Sequence, residues 1–164
     1  MAFDTYLKID SVDGESQQSN HEKWIEIYSF SWGASNPTTV GPGSGGLSAG
    51  RVSVSSFNVM KKTEASSATL FAACATGKHF KDATVEMSKA TGDGGQKVFL
   101  KYVFSDVLIE SIQWSGSTGG DDSPTESLSI AFAKVAINYF KQDETTGAMA
   151  PAGDATWDLT KVAK

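Results

Sequence analysis

Apolar and polar residues alternate along most of this chain, and a period of two restricts the fold more than any other feature. In the first such segment Phe3, Leu7 and Ile9 share one parity, whereas Asp4 and Lys8 occupy the other. Because successive side chains of a strand point to opposite faces, this pattern predicts a strand with one buried face. The sequence therefore predicts a mainly β protein, either a sandwich or a flattened barrel.

Further segments with strand patterns follow along the chain, at residues 24–32, 51–60, 81–90, 96–105, 107–115, 126–141 and 156–161. In residues 51–60 the apolar parity changes across Ser55 and Ser56, which predicts a β-bulge. In residues 129–140 apolar side chains occupy both parities, and a bulge near Ala133 and Lys134 would account for part of this pattern. The remainder predicts that both faces are covered, either within a sandwich or by another subunit.

One short helix is predicted at residues 66–76, where alanines and Leu70 favour helix formation. Serines are suited to cap its start, and Gly77 suits its end. Leu70, Phe71 and Cys74 fall on one side, which predicts that this side docks on the sheet.

The charge of the chain argues against several classes of partner. Its 14 Lys and Arg residues are scattered, and the formal net charge is −5. A basic stripe, as needed for nucleic acid, is therefore absent from the sequence, and binding to anionic membranes is disfavoured. No segment approaches the roughly 20 apolar residues of a membrane-spanning helix, so we expect neither a nucleic-acid partner nor membrane insertion.

The start of the sequence lacks a basic region followed by an apolar one, so no secretory signal is recognised. The single cysteine, Cys74, excludes an internal disulfide. We expect a protein that is cytosolic when made and that leaves the cell, if it does, without a cleaved signal peptide.

Residues 36–50, NPTTVGPGSGGLSAG, contain five glycines, two prolines and no charge. Within them, residues 41–46 match G-x-G-x-x-G, the dinucleotide-binding pattern. That pattern requires a helix after the glycines, whereas here a strand pattern follows from Arg51. The sequence therefore predicts a flexible arm rather than a phosphate cradle, and no cofactor.

Catalytic and metal sites are equally poorly supported. Cys74 and His79 form a conceivable nucleophile and base, although Cys74 falls on the apolar side of the predicted helix. The two histidines and one cysteine lack any ligand spacing typical of a metal site. We therefore expect a protein that is not an enzyme, with no catalytic, cofactor-binding or metal-binding residue.

Four blocks of the sequence, in order, carry a family resemblance: YLKIDSVDGES, HEKWIEIYSFSWGAS, GRVSVSSFNVMKKTEASSATLFAACATGKH and ESLSIAFAKVAINYF. Together they resemble the Hcp (hemolysin-coregulated protein) family, the tube protein of the bacterial type VI secretion system. The likeness runs from about residue 1 to residues 156–159.

The resemblance implies one Hcp-like domain over residues 1–164, a two-sheet β-barrel with one helix, similar to phage tail tubes. It implies homohexameric rings that stack into a hollow tube, with effector proteins carried in the lumen. The implied partners are a VgrG-like spike, a contractile sheath and a baseplate, and the implied destination is the extracellular space or a target cell.

Family members have an extended loop where this chain has its uncharged arm. We therefore assign the arm to the oligomer interface, with the residues Asn36, Pro37, Thr38, Thr39, Val40, Gly41, Pro42, Gly43, Ser44, Gly45, Gly46 and Leu47. A second assignment follows from parity. If Phe30 and Trp32 fill the core, Ser29 and Ser31 point to the opposite face, which is either the tube lumen or an ordinary solvated sheet face.

Three alternatives remain open from the sequence alone. A monomeric β-sandwich binding module would use exposed aromatics such as Trp114 or Trp157 to hold a carbohydrate or peptide. A phage tail-tube subunit would share the architecture. A cysteine hydrolase would use Cys74 and His79.

Overall fold

The computed structural model describes residues 2–43, 45–91, 95–120 and 122–161. The chain forms twelve described strands and one described helix in the order β1 Asp4–Ile9, β2 Ile25–Ile27, β3 Ser29–Ser31, β4 Ala34–Ser35, β5 Thr38–Gly41, β6 Gly46–Ala49, β7 Ser53–Val54, β8 Phe57–Lys62, α1 Ser67–Thr76, β9 His79–Thr91, β10 Gly95–Ser115, β11 Thr125–Gln142 and β12 Met149–Asp158. The predicted mainly β class with one short helix is confirmed.

Eight strands form one sheet that curls into a nearly closed barrel. The order is β2-β1-β9-β10-β11-β8-β3, and β12 pairs with β11 beside this path. Strands β2 and β3 are the two edge strands of this order, and only Tyr28 separates them along the chain. The two edges of the sheet are therefore brought together by consecutive residues. The Tyr28 amide donates a hydrogen bond of 2.8 Å to the Met60 carbonyl, which continues the β3–β8 ladder toward β2. Closure of this kind reduces the exposed strand edges.

The barrel interior is filled by aliphatic residues and a group of aromatic rings. Phe57 and Phe104 are fully buried, with ring centroids 4.9 Å apart, and Phe132 lies 4.5 Å from Phe104. Phe30 and Trp32 are partly buried and pack against this core. The condition on which the face of Ser29 and Ser31 was assigned is therefore met.

The single strand predicted at residues 24–32 is wrong in one respect. Ile25 and Ile27 are buried at odd positions, whereas Phe30 and Trp32 face the core at even positions. The inward parity therefore changes at exposed Tyr28, where the chain bends from β2 into β3. The predicted change of parity at Ser55 and Ser56 is present, but as a break between two strands and not as a bulge, because β7 ends at Val54 in one sheet and β8 begins at Phe57 in another.

In the long hairpin of β10 and β11, the residues that face the core switch between even and odd positions, and both strands switch at the same place. Phe104 is buried opposite Val135, and Val107 is buried opposite Phe132. Between them Asp106 has a positive φ of 52°. The predicted irregularity in β11 is thus present as a change of face, but not as a bulge, because the pairing register is unshifted there. The register shift of this ladder lies between Ile109 and Ser111.

Two strand boundaries were predicted incorrectly. Residues 96–105 and 107–115 form one strand, β10, because Asp106 turns the side-chain face without ending the ladder. The last strand spans Met149–Asp158 rather than residues 156–161. Its first half contains Pro151 and Gly153, which have low strand propensity, so pairing with β11 decides its structure.

Helix α1 lies against β10 and ends as predicted. Gly77 adopts the left-handed conformation with φ 67°, and the Lys78 amide donates a 3.0 Å hydrogen bond to the Ala73 carbonyl. The predicted serine cap is wrong, because Ser66 makes no side-chain capping bond. The predicted docking side is right for buried Leu70 but wrong for Phe71, whose side chain is 53% exposed.

Candidate assembly interface

The uncharged arm is a β-hairpin. Strands β5 and β6 pair in antiparallel register, with Val40 opposite Leu47 and Gly41 opposite Gly46. Gly45 and Gly46 have φ values of 68° and 135°, which side-chain-bearing residues rarely adopt, so the return of the chain depends on glycine. The sequence predicted a flexible arm and no strands within it. The assigned residue Ser44 lies outside the described residues.

The base of the hairpin is closed by backbone contact. The Gly50 amide donates a 2.7 Å hydrogen bond to the Pro37 carbonyl. A Cβ atom at Gly50 would lie 2.8 Å from the same oxygen, so the close approach of the two chain segments requires glycine. Beyond this base the hairpin forms a separate two-stranded sheet, and its described residues make no ladder with the barrel.

The hairpin exposes its apolar side chains almost completely. Val40 is 78% exposed and Leu47 is 73% exposed, and the two lie opposite each other in the ladder. An isolated two-stranded hairpin is marginally stable in water. Burying Val40 and Leu47 would be favourable, because both side chains are apolar. The rest of the described chain does not cover them, so the burial requires another surface.

Ser29 and Ser31 are both exposed on β3, with Phe30 between them turned toward the core. Their ladder partners on β8 are Met60 and Asn58. The outer face of this strand pair therefore presents small polar side chains beside one exposed methionine. The structure places the two serines on the face that parity predicted, and their assignment to a lumen stays a prediction.

Other large apolar side chains are exposed at separate places on the surface. Phe71 and Trp114 contact each other with ring centroids 5.8 Å apart, where α1 meets the end of β10. Trp157 is exposed on β12 and lies opposite Val135. The remaining members of the set are Phe3, Tyr28, Met60 and Tyr139.

The geometry gives no support to the enzymatic and cofactor alternatives. His79 is exposed and its Nδ1 lies 3.0 Å from Asp106 Oδ1, while Cys74 packs against the core. Within the described ranges no hydrogen bond joins Cys74 to His79, and no cluster of three or more metal-ligating side chains occurs. The G-x-G-x-x-G glycines lead into strand β6 instead of a helix, which removes the geometry of a dinucleotide site.

A buried ion pair lies under the start of α1, and sequence reasoning missed it. Lys61 on β8 and Glu126 on β11 are opposite each other in the ladder, both fully buried, and their side chains bond directly. Ser67 Oγ donates a 2.7 Å hydrogen bond to Glu126 Oε2 and lies 3.1 Å from Lys61 Nζ. This cluster ties the first turn of the helix to two barrel strands.

A second buried polar cluster fastens the loop between β1 and β2. His21 is buried, with Nδ1 2.7 Å from Gln18 Oε1 and Nε2 2.7 Å from Glu86 Oε2. Its ring stacks on Tyr6 at a centroid separation of 4.3 Å. Burial raises the pKa of the Tyr6 hydroxyl above its usual value, and the charges of Asp4 and Glu26 raise it further.

The pKa values of three surface carboxylates are lowered by local hydrogen bonds. The Lys8 ammonium bonds to Asp13 at 2.8 Å and lowers the pKa of that carboxyl. Amides of Thr146 and Thr145 lower the pKa of Asp143 in the turn between β11 and β12. The hydroxyl and amide of Thr160 do the same for Asp158. These groups stabilise turns and lie apart from the hairpin.

No helix in the described part of the chain combines the length and the apolar character needed to cross a lipid bilayer.

Residues 6–139 match the sequence model of a family described as "Type VI secretion system effector, Hcp". The chain is 36% identical over 142 residues to the protein hcp1 of Pseudomonas aeruginosa, covering 87% of this chain and 86% of that protein. A solved structure described as a type six secretion system protein superposes with a TM-score of 0.89 at 38% identity, covering 97% of each chain. The crystal structure of Hcp1 from Salmonella typhimurium gives a TM-score of 0.74 at 30% identity, covering 98% of this chain and 96% of that one.

Proposed function

This chain belongs to the Hcp family of type VI secretion proteins, a family of secreted tube proteins that are not known enzymes, and from that premise we propose that it is the structural subunit of a type VI secretion tube. Residues 1–164 act as one tube domain. Six copies form a ring, and rings stack into a hollow tube.

The observation that carries this proposal is the exposed hairpin. Val40 and Leu47 stand almost fully in solvent on an uncharged arm that has no ladder to its own barrel. A ring of identical subunits is built from heterologous contacts, in which one patch meets a different patch of the next copy. Because the arm carries no charged side chain from Asn36 to Gly50, it can pack against a neighbour without burying an unpaired charge.

The lumen of the tube is assigned to the exposed face of β3. Ser29 and Ser31 are small and polar, and such side chains leave room and hydrogen-bonding capacity for a passenger protein. On this proposal the tube carries effector proteins and is expelled with a VgrG-like spike by a contractile sheath on a baseplate. The protein is made in the bacterial cytoplasm and reaches the extracellular space or a target cell by type VI secretion.

The test is to make the hairpin polar and measure assembly. Replacing Val40→Ser together with Leu47→Ser removes the apolar pair while leaving the barrel sequence unchanged. We expect light scattering to show a shift from the six-fold mass toward the monomer, with an unchanged circular dichroism spectrum. The matched control is the double variant Thr38→Ser and Ala49→Ser at the paired positions of the same ladder, which is expected to assemble as the wild type. If the Val40→Ser and Leu47→Ser double variant keeps the six-fold mass, the assignment of the arm to the interface is contradicted.

The binding-module alternative predicts a different mass and a response of the tryptophan fluorescence to ligands. Trp114 and Trp157 are exposed, as that alternative requires. If the wild-type chain is monomeric and glycans or peptides quench the fluorescence of these tryptophans, the binding module replaces the tube subunit. The tube proposal predicts an assembled protein with no such quenching.

A further inference from the structure

An acidic groove lies where the start of β1 runs beside the end of β2. Its volume is about 510 Å³, and its lining includes the exposed side chains of Phe3 and Tyr28. The carboxylates of Asp4 and Glu26 line it, together with Tyr6. The groove therefore combines aromatic walls with negative charge.

Neither carboxylate of the groove makes an ion pair with another described residue. Asp4 Oδ2 accepts a 2.7 Å hydrogen bond from the neutral amide of Gln96. Glu26 is exposed and makes no side-chain hydrogen bond or ion pair with any other described residue. Burial and, after it, the charges of Asp4 and Glu26 raise the pKa of Tyr6, which lines the same groove.

The aromatic walls favour a cationic occupant over a neutral one. Tyr28 is 64% exposed, and Lys62 Nζ lies 5.6 Å from its ring centroid. A positively charged group over a tyrosine face is attracted by the ring quadrupole. A planar guanidinium is best suited to such a groove, because it can bond two carboxylate oxygens at once and stack on an aromatic ring.

The chain contains one arginine, and its position is informative. Arg51 follows directly after the uncharged arm, is exposed, and has no ion pair or side-chain hydrogen bond in the described ranges. It does not line the groove of its own chain. It is therefore a free guanidinium at the base of the element assigned to assembly.

We propose that the groove between β1 and β2 is the receptor for Arg51 of a neighbouring copy, with Glu26 as its principal partner and Asp4 as the second carboxylate. This inference rests on the proposed tube function. It identifies which two patches of the heterologous interface meet. The partner is a second copy of this chain, selected by charge complementarity between the acidic groove and the arginine beside the arm.

A charge-exchange experiment tests the pairing. Glu26→Arg and Arg51→Glu are each made alone and then combined, and the six-fold mass is followed on dilution by light scattering. Each single variant juxtaposes like charges, so we expect its half-dissociation concentration to rise by about tenfold or more. The combined variant restores opposite charges and is expected to return to within about threefold of the wild type. Lys81→Glu, a charge reversal at an exposed site on β9, is the matched control and is expected to assemble normally.

Chemical crosslinking provides a second measurement that does not depend on charge. With Cys74→Ala as background, Glu26→Cys and Arg51→Cys are placed on separate copies, mixed, and treated with a bis-maleimide about as long as an arginine–carboxylate pair, because the two Cα atoms of such a pair lie too far apart for a direct disulfide. We expect a covalent dimer of the two different chains, and none when Lys81→Cys replaces Arg51→Cys.

The outcomes separate this inference from the proposed function. A wild-type chain that is monomeric at all concentrations overturns both. A six-fold mass that is unaffected by either single reversal, or a combined variant no better than the worse single one, overturns the pairing and leaves the tube function standing. Absence of the mixed dimer from assembled rings also overturns the pairing.

Discussion

Lys61 and Glu126 are charged side chains in the interior of the barrel, and their position has a sequence explanation. Lys61 shares the inward parity of Phe57 and Val59 on β8, and Glu126 shares that of Leu128 on β11. The alternation therefore predicts an inward orientation for both residues. A charged residue taken by itself, however, is expected to be exposed to solvent. Only the strand register, which sequence does not supply, brings the two into contact.

Removing one partner of this pair should destabilise the subunit strongly. Lys61→Met leaves Glu126 buried without its cation, and the expected loss in free energy of unfolding is about 3–5 kcal/mol. Lys61→Met combined with Glu126→Leu removes both charges and should recover at least about 2 kcal/mol of that loss. Urea unfolding at one fixed protein concentration measures both, since assembly couples stability to concentration. A double variant less stable than the single variant would show that the pair itself, not the orphaned charge, dominates.

Tyr6 gives the fold a dependence on alkaline pH. Its pKa in the folded chain is raised, so the folded state holds the phenol proton more tightly than the unfolded state does. The corresponding stability is fully present below the ordinary tyrosine pKa of about 10 and is lost as pH rises through the folded value. Tyr6→Phe removes this titration. We expect the two proteins to diverge above about pH 10, with the wild type losing stability faster. Parallel stability curves from pH 8 to 11 would contradict this account.

At the level of elements, strand parity and helix composition predicted most of the barrel, and the failures have physical causes. The helix was predicted within one residue because alanines and a terminal glycine act locally. Strand β12 begins seven residues before the predicted segment because pairing with β11, a long-range contact, overrides the weak propensity of its first half. The hairpin at the arm escaped prediction because glycine and proline obscure the alternation of its strands.

Helix α1 offers a direct test of the corrected docking side. Leu70 is fully buried against the core, whereas Phe71 is more than half exposed and its ring contacts that of Trp114. Leu70→Ala should cost about 2–5 kcal/mol of unfolding free energy, because it leaves a cavity. Phe71→Ala should stay within about 1 kcal/mol of the wild type. Equal losses from the two truncations would mean that the helix docks through the side that the sequence alone suggested.

For the whole molecule, the barrel closes through one bent segment at Tyr28, while the arm and several aromatic side chains remain uncovered. The family was recognisable from four sequence blocks, and the sequence also indicated the arm residues. In the proposed assembly the arm docks on a neighbouring copy, so the sequence of one chain does not give its contacts. The acidic groove was not foreseen, because Asp4 and Glu26 are 22 positions apart in sequence and meet only through the pairing of β1 with β2.

The most direct measurement of the central claim is the solution mass of the purified full-length protein, by light scattering at two concentrations and two salt levels. A single chain has a mass of 17.4 kDa. The tube account predicts six times this mass, persisting on dilution and without turnover of any substrate. A stable monomer under all four conditions would contradict it.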